Sequence, residues 1–455
     1  MTEGAEESSR VTAVGQAAAS TLLDEEKEVA ELLSGIGLEC ETHNKEYLSF
    51  RDQREKRGRY SSSSKRWFPR AYVSALRSQL GDDVEKHPTS TGLVIPARGY
   101  VELICSRLSP IAAKRLFQIQ LESPAAKCVH GEQASVLPSL PYRWLDDEGE
   151  SVKRVHLPGA DPDPCLEISN ASPLAMLLYG SMLDTGRVRL TSRRIPFLAT
   201  LKIAYGNAWD HERIRRSSEA TARSLIYELD VRNGVLMELD APSAGLDVPF
   251  SRGSLEAPRP IRYPSTTIDY EVSVLFGFAS QVTDDPPDAF LSYYKALEYF
   301  IPKAAHQSAI KNVRRELRDP TFDSADDASL LRLIEAAKGP KVADEQNQIR
   351  IVVNEYVRPD RLEEFFDRGW GDYFTHKGPV KGVPAINSRN NLSLSDQVAD
   401  RVSQIRNRLV HAKDDPKLGD ARVLLPRSTA ANALTPDVLL VRLLVTEAIL
   451  VGLSG

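Results

Sequence analysis

The spacing of apolar residues along the chain changes character near residue 283. Upstream, short apolar and β-branched runs bounded by Gly, Pro, Asn and Asp predict strands at 92–96, 100–105, 188–190, 196–204, 224–230, 235–240 and 267–276. Asn233-Gly234 between two of these runs predicts a tight hairpin, because that pair tolerates positive φ. Helical spacing occurs at 22–38, 110–121 and 172–183, and strands and helices do not alternate regularly as in a doubly wound sheet. Residues 1–20, small and polar, predict a disordered tip.

Downstream the period becomes helical. Asp285-Pro286 reads as an N-cap followed by proline at the first helical position, and Phe290, Tyr294, Leu297 and Ile301 then share one face. Pro302 ends or kinks that helix. Further helices are predicted at 304–318, 329–337, 344–356, 362–367, 395–411 and 435–450, with loops at 376–391 and 414–434. The fold class is therefore α+β: a strand-rich mixed amino-terminal domain over 21–283, then an all-α domain over 284–455, joined at 281–288.

A hydrophobic content of 42% over 455 residues suits ordinary packed cores, and a net charge of −5 excludes a general nucleic-acid coater. Any RNA contact must come from a local patch. The most basic stretch, 51–70, sets eight Lys/Arg against Asp52 and Glu55, with Tyr60, Trp67 and Phe68 among them. Cations interleaved with aromatics are the composition of a surface that neutralises phosphates and stacks bases, which makes Arg54, Arg57, Arg59, Lys65, Arg66 and Trp67 candidate RNA contacts. The alternative is a solvated loop over tucked aromatics.

Cys40, Cys105, Cys128 and Cys165 are isolated and have no partner histidines at ligand spacing, so neither a zinc site nor a disulfide framework is expected, and no cofactor is implied. The start, MTEGAEESSR, is acidic where a secretion signal is basic. The apolar stretch 438–452 is interrupted by Arg442 and Glu447 and reads as a buried helix rather than a membrane span. A cytoplasmic protein is expected.

The chemistry-bearing feature is the hexad Arg406-Asn407-Arg408-Leu409-Val410-His411 on a predicted helix. A permanently charged guanidinium and an imidazole titrating near neutrality suffice to cleave RNA without a metal. On a wheel of about 100° per residue with Ile405 at zero, Val398, Val402 and Leu409 lie near 20°, 60° and 40° and define a core face. Arg406 falls at about 100°, Asn407 at about 200° and His411 at about 240°. Asn407 and His411 are thus stacked one turn apart, whereas Arg406 and His411 diverge. Either the helix unwinds near Val410, or two copies face each other and share one cleft, and the second arrangement is preferred. A structural role also fits the residues: His411 at a helix end, favoured by the dipole, with Arg406 in a surface ion pair.

The hexad, with Asn directly after Arg, resembles the Arg-x4-6-His signature of HEPN domains, all-α bundles of many RNA-cleaving toxins and defence proteins. Phe290-Leu-Ser-Tyr-Tyr-Lys-Ala-Leu-Glu298 is similar to the opening helix of the ApeA-like HEPN group. The resemblance spans residues 284–455. It implies a HEPN-like bundle acting as a metal-independent endoribonuclease in a homodimer, with Arg406, Asn407 and His411 catalytic. It also implies an anti-phage or toxin-type growth-arrest role, and the domain over 21–283, outside the resemblance, is expected to sense an unknown trigger. Two roles are open to Glu298, as partner of Arg406 or as surface mate of Lys295. The family also allows a non-catalytic dimerisation or nucleotide-binding module that serves as scaffold for a partner enzyme.

Overall fold

The computed structural model describes residues 22–43, 45–52, 65–80, 84–106, 108, 110–122, 139–143, 150–159, 163–179, 197–205, 209–239, 259–265, 267–282, 285–338, 345–367, 371–376, 383–387, 392–410, 431 and 433–452. It divides into two compact units, 1–263 and 264–455.

The first unit contains α1 (Asp24–Gly35), β1 (Leu38–His43), β2 (Tyr47–Asp52), β3 (Lys65–Pro69), α2 (Val73–Leu80), β4 (Glu85–Lys86), β5 (Gly92–Ile95), β6 (Tyr100–Ser106) and α3 (Pro110–Leu116). After these come β7 (Tyr142–Arg143), β8 (Glu150–Ser151), β9 (Arg154–Leu157), β10 (Cys165–Asn170), α4 (Pro173–Tyr179), β11 (Ala199–Ala204), α5 (His211–Asn233) and β12 (Glu238–Leu239). The main sheet runs β4-β5-β6-β11-β10-β9 with β12 also on β6, every pairing antiparallel, while β1-β2-β3 form a second sheet and β7-β8 a short ribbon.

Both faces of the main sheet are covered. Val101, Leu103, Leu166, Ile168, Leu201 and Ile203 pack with Ile214, Ala222, Leu225 and Leu229 of α5. The opposite face, with Leu93, Ile95, Tyr100 and Ile104, packs under residues of α1, α2, α4 and the β1-β2-β3 sheet. Two-sided burial removes the apolar–polar alternation that marks a half-exposed strand, so Cys165-Leu-Glu-Ile-Ser-Asn170 gives no strand signal although every residue of β10 is buried.

The hairpin expected at 224–240 is instead the end of a helix. Asp210 caps α5 by accepting from the Arg213 N–H at 2.7 Å, the helix continues through Asn233, and Gly234 at φ 64° closes it with its N–H on the Asp230 and Leu229 carbonyls. The positive φ that Asn-Gly supplies to a hairpin turn serves a helix C-terminus equally well.

The second unit is helical throughout its described elements: α6 (Tyr270–Gln281), α7 (Pro286–Glu298), α8 (Ile301–Leu317), α9 (Asp327–Lys338), α10 (Glu345–Tyr356), α11 (Pro359–Phe365), α12 (Gly371–Thr375), α13 (Leu394–Val410) and α14 (Thr435–Gly452). α6 replaces the strand expected at 267–276. Its Val272, Phe276 and Ala279 are buried at helical spacing. The Phe276 ring meets Tyr293 edge-on at 5.4 Å, and Ser280 Oγ is 2.9 Å from the Tyr293 hydroxyl. α6 therefore packs on α7, and the division between units falls ahead of the joint expected at 281–288.

α7 starts as its sequence predicts, with Asp285 accepting from the Asp288 N–H and Pro286 in the first turn, and it buries Phe290, Tyr294 and Leu297. Pro302 stands in the first turn of α8, separating it from α7. α7 packs on α14, α13 and α10, and α10 bridges α8, α13 and α14. Among the described residues no helix is long and apolar enough to cross a membrane.

Candidate functional site

α13 is positioned by Val398, Val402 and Ile405, all fully buried, as the helical wheel predicts. A second anchor lies beside that apolar face. Arg401, at 0% exposure, donates from Nε and Nη2 to the two carboxylate oxygens of Asp437 on α14, at 2.7 and 3.1 Å. Its Nη1 donates to the Pro384 carbonyl at 2.8 Å, and its plane lies over the rings of Phe374 and Tyr373. The Tyr373 hydroxyl donates to Asp437 at 2.6 Å. Burial and then the Asp437 charge hold that phenol far above its usual pKa, so it stays protonated. A carboxylate with this many donors satisfies an otherwise costly buried cation.

One turn and a residue further along, Arg406 leaves the core face half-buried. Its guanidinium lies 5.8 Å from the centroid of the Tyr294 ring on α7, and Nη1 donates to Asn407 Oδ1 at 3.2 Å. Tyr294 is itself buried and stacks with Phe290. The two segments that carry the family resemblance, the hexad and the aromatic helix, are thus in direct contact, because the long arginine side chain reaches from the flank of α13 to the aromatic face of α7. Glu298 is half-buried one helical turn beyond Tyr294. The observed partner of Asn407 is Arg406, its neighbour in sequence. His411 lies outside the described residues.

Of the candidate RNA contacts in the amino-terminal unit, Arg54, Arg57 and Arg59 lie outside the described residues, as do the side chains of Lys65 and Trp67 on β3. Arg66, also on β3, directs Nη1 to the carbonyls of Leu177 and Leu178 at 3.2 and 2.9 Å, at the carboxyl end of α4. There it complements the helix dipole.

A charged cluster that the sequence does not announce crosses the main sheet. Register places Glu102 on β6 opposite Lys202 on β11, Lys202 opposite Glu167 on β10, and Glu167 opposite His156 on β9. Glu102, Lys202 and Glu167 are buried. Lys202 donates to Ser139 and lies 3.9 Å from Glu167, which accepts from Ser169 at 2.9 Å, while Glu102 accepts from the Ser172 N–H at 2.9 Å. His156 Nδ1 is 3.5 Å from Glu167. Hydrogen bonding to Cys165 and then to Glu167 raises the imidazole to about 9, so it is cationic at neutral pH. Burial alone would raise the Glu167 carboxyl, but hydrogen bonds from His156 and Ser169 and the Lys202 charge keep it below its ordinary value. Two acids alternate with two bases along this row, and the apolar layer over it makes it a structural cross-brace.

Among the described residues no group of three or more His, Cys, Asp or Glu converges as a metal site. An open groove of about 860 Å³ lies along α8 and does not include Arg406. Periodicity could have exposed its cations, since Lys311, Arg314, Arg315 and Arg318 recur at i, i+3, i+4 and i+7. No protein family matches the chain, and neither does any curated protein or solved structure.

Proposed function

We propose that the second unit is a HEPN-type, metal-independent endoribonuclease that works as a homodimer with a composite site built from Arg406, Asn407 and His411. The observation that carries this reading is the contact of Arg406 with Tyr294, because it joins the two sequence segments on which the family resemblance rests and holds a guanidinium at the edge of the bundle core.

The residue types dictate the chemistry. RNA carries its own nucleophile, the 2′-hydroxyl. Neutral His411 of one copy takes the hydroxyl proton as the oxygen attacks phosphorus. Protonated His411 of the second copy gives its proton to the departing 5′-oxygen. The phosphorus–5′-oxygen bond breaks, leaving a 2′,3′-cyclic phosphate and a 5′-hydroxyl. Arg406 binds the scissile phosphate and offsets the charge that builds on its oxygens. Asn407 holds the guanidinium through Oδ1. In this reading the chain is a cytoplasmic growth-arrest effector of the anti-phage or toxin type, with the first unit as trigger sensor.

Expression of the wild type beside His411→Ala tests the reading. The wild type should arrest growth and degrade RNA under an inducing condition while the variant does neither. Equal harmlessness and equally intact RNA under every condition would reject it in favour of a non-catalytic scaffold.

A further inference from the structure

Helix α8 presents one cationic face. With Lys303 at zero, Arg314, Gln307, Arg318 and Lys311 lie at about 20°, 40°, 60° and 80°, and Arg315 flanks them at about 120°. Lys311, Arg314, Arg315 and Arg318 are all exposed, and together with Gln307 and Ile310 they line the open groove of about 860 Å³.

Of the nearby acids, Glu316 pairs with Arg332 at 3.8 Å, whereas Glu355 pairs with Lys311 of the groove at 3.6 Å, which leaves the three arginines as its uncompensated cations among the described residues. Asp319, at the end of the groove, accepts from the Thr321 N–H at 2.8 Å and from its hydroxyl at 2.7 Å, and these bonds hold its carboxyl below the usual value. Arg314, Arg315 and Arg318 have no carboxylate partner among the described residues. Three guanidinia on one face with no carboxylate partner among the described residues repel one another, and an added polyanion relieves that repulsion.

We infer that this groove binds the sugar-phosphate backbone of the RNA strand, an inference that takes the identity of the polyanion from the ribonuclease reading. The spacing favours a chain of phosphates over a single anion. From Lys311 to Arg318 the helix rises roughly 10 Å, longer than one phosphate group, so the cations can meet successive phosphates of one strand. The groove is open to solvent, so a strand can lie in it, and the exposed Ile310 in its lining offers an apolar contact for a sugar or base.

The test uses the full-length His411→Ala protein, so that the probe survives, and a labelled single-stranded oligouridylate, with anisotropy read across a salt series. Adding Arg314→Ala, Arg315→Ala and Arg318→Ala should flatten the slope of log affinity on log salt by about 2, at roughly 0.7 per lost phosphate contact, and weaken binding on the order of tenfold. Lys at all three positions should restore most of the slope, and melting curves should coincide because these side chains are exposed. An unchanged slope in a folded triple variant overturns the inference, as does equal competition by polyglutamate. Failure of the ribonuclease reading would appear separately, as wild type and His411→Ala leaving RNA equally intact, while the salt slope would still report on the groove.

Discussion

Removing the counter-ion of Arg401 should be among the most destabilising single changes in the helical unit. Asp437→Leu deletes both carboxylate acceptors of the Arg401 guanidinium, which has 0% exposure and, among the described residues, retains the Pro384 carbonyl and the Tyr373 and Phe374 rings. It also strips the Tyr373 hydroxyl of its 2.6 Å acceptor, leaving the Ala433 carbonyl at 2.9 Å. Breaking a buried pair by taking one partner costs about 3–5 kcal/mol, whereas replacing both by apolar groups of similar size is close to neutral. For a unit of this size each kcal/mol lowers the melting temperature by about 2–4 °C, so the single variant should melt on the order of 10 °C early. Arg401→Met with Asp437→Leu should recover most of that loss. Thermal unfolding of the full chain by circular dichroism reads both. A single variant within about 2 °C of wild type, or a double variant worse than either single, would show that the pair does not anchor α13 to α14.

Arg406→Ala should lower cleavage by about 10²–10³, the usual cost of one donor to a developing oxyanion, while losing only about 1 kcal/mol of stability from the Tyr294 contact; comparable losses in both assays would assign Arg406 a structural role alone. Gly234→Ala places a Cβ at φ 64° and should destabilise the first unit by about 1–2 kcal/mol in denaturant titration, an effect absent if the residue lay in a relaxed turn. His156 binds its proton more tightly folded, near 9, than unfolded, near its ordinary 6.5. Its stabilisation is therefore complete below pH 6.5 and is lost as pH rises through 9, by roughly 1–2 kcal/mol after solvent screening. Denaturant midpoints across that range should fall for the wild type and stay flatter for His156→Gln.

The helical half was legible where a helix keeps one apolar face, as α7 and α13 do, and Asp285-Pro286 marks an N-terminus in sequence as it does in space, whereas the apolar run of α6 read as a strand. The sheet was less legible. Strands buried on both faces lose their alternation, and Glu102, Glu167 and Lys202 look like surface residues until register pairs them in the interior. The hairpin reading failed because Asn233-Gly234 solves two different backbone problems, and only the helix formers from Glu212 to Arg223 decide between them. At the candidate site the hexad stands out in the sequence, but the contact of Arg406 with the Tyr294 ring does not, since Tyr294 is about 110 residues distant. Arg401 gave no signal because its partner Asp437 belongs to another helix.

If Arg406 and His411 act together on a ribose-phosphate linkage, the ends they leave on RNA carry the signature. Purified wild type incubated with RNA and a chelator should yield 2′,3′-cyclic phosphate and 5′-hydroxyl termini, with His411→Ala leaving the RNA whole and Arg406→Ala cutting it about a hundredfold more slowly or slower still. Termini of the opposite kind, or cutting that survives either substitution undiminished, would contradict the account.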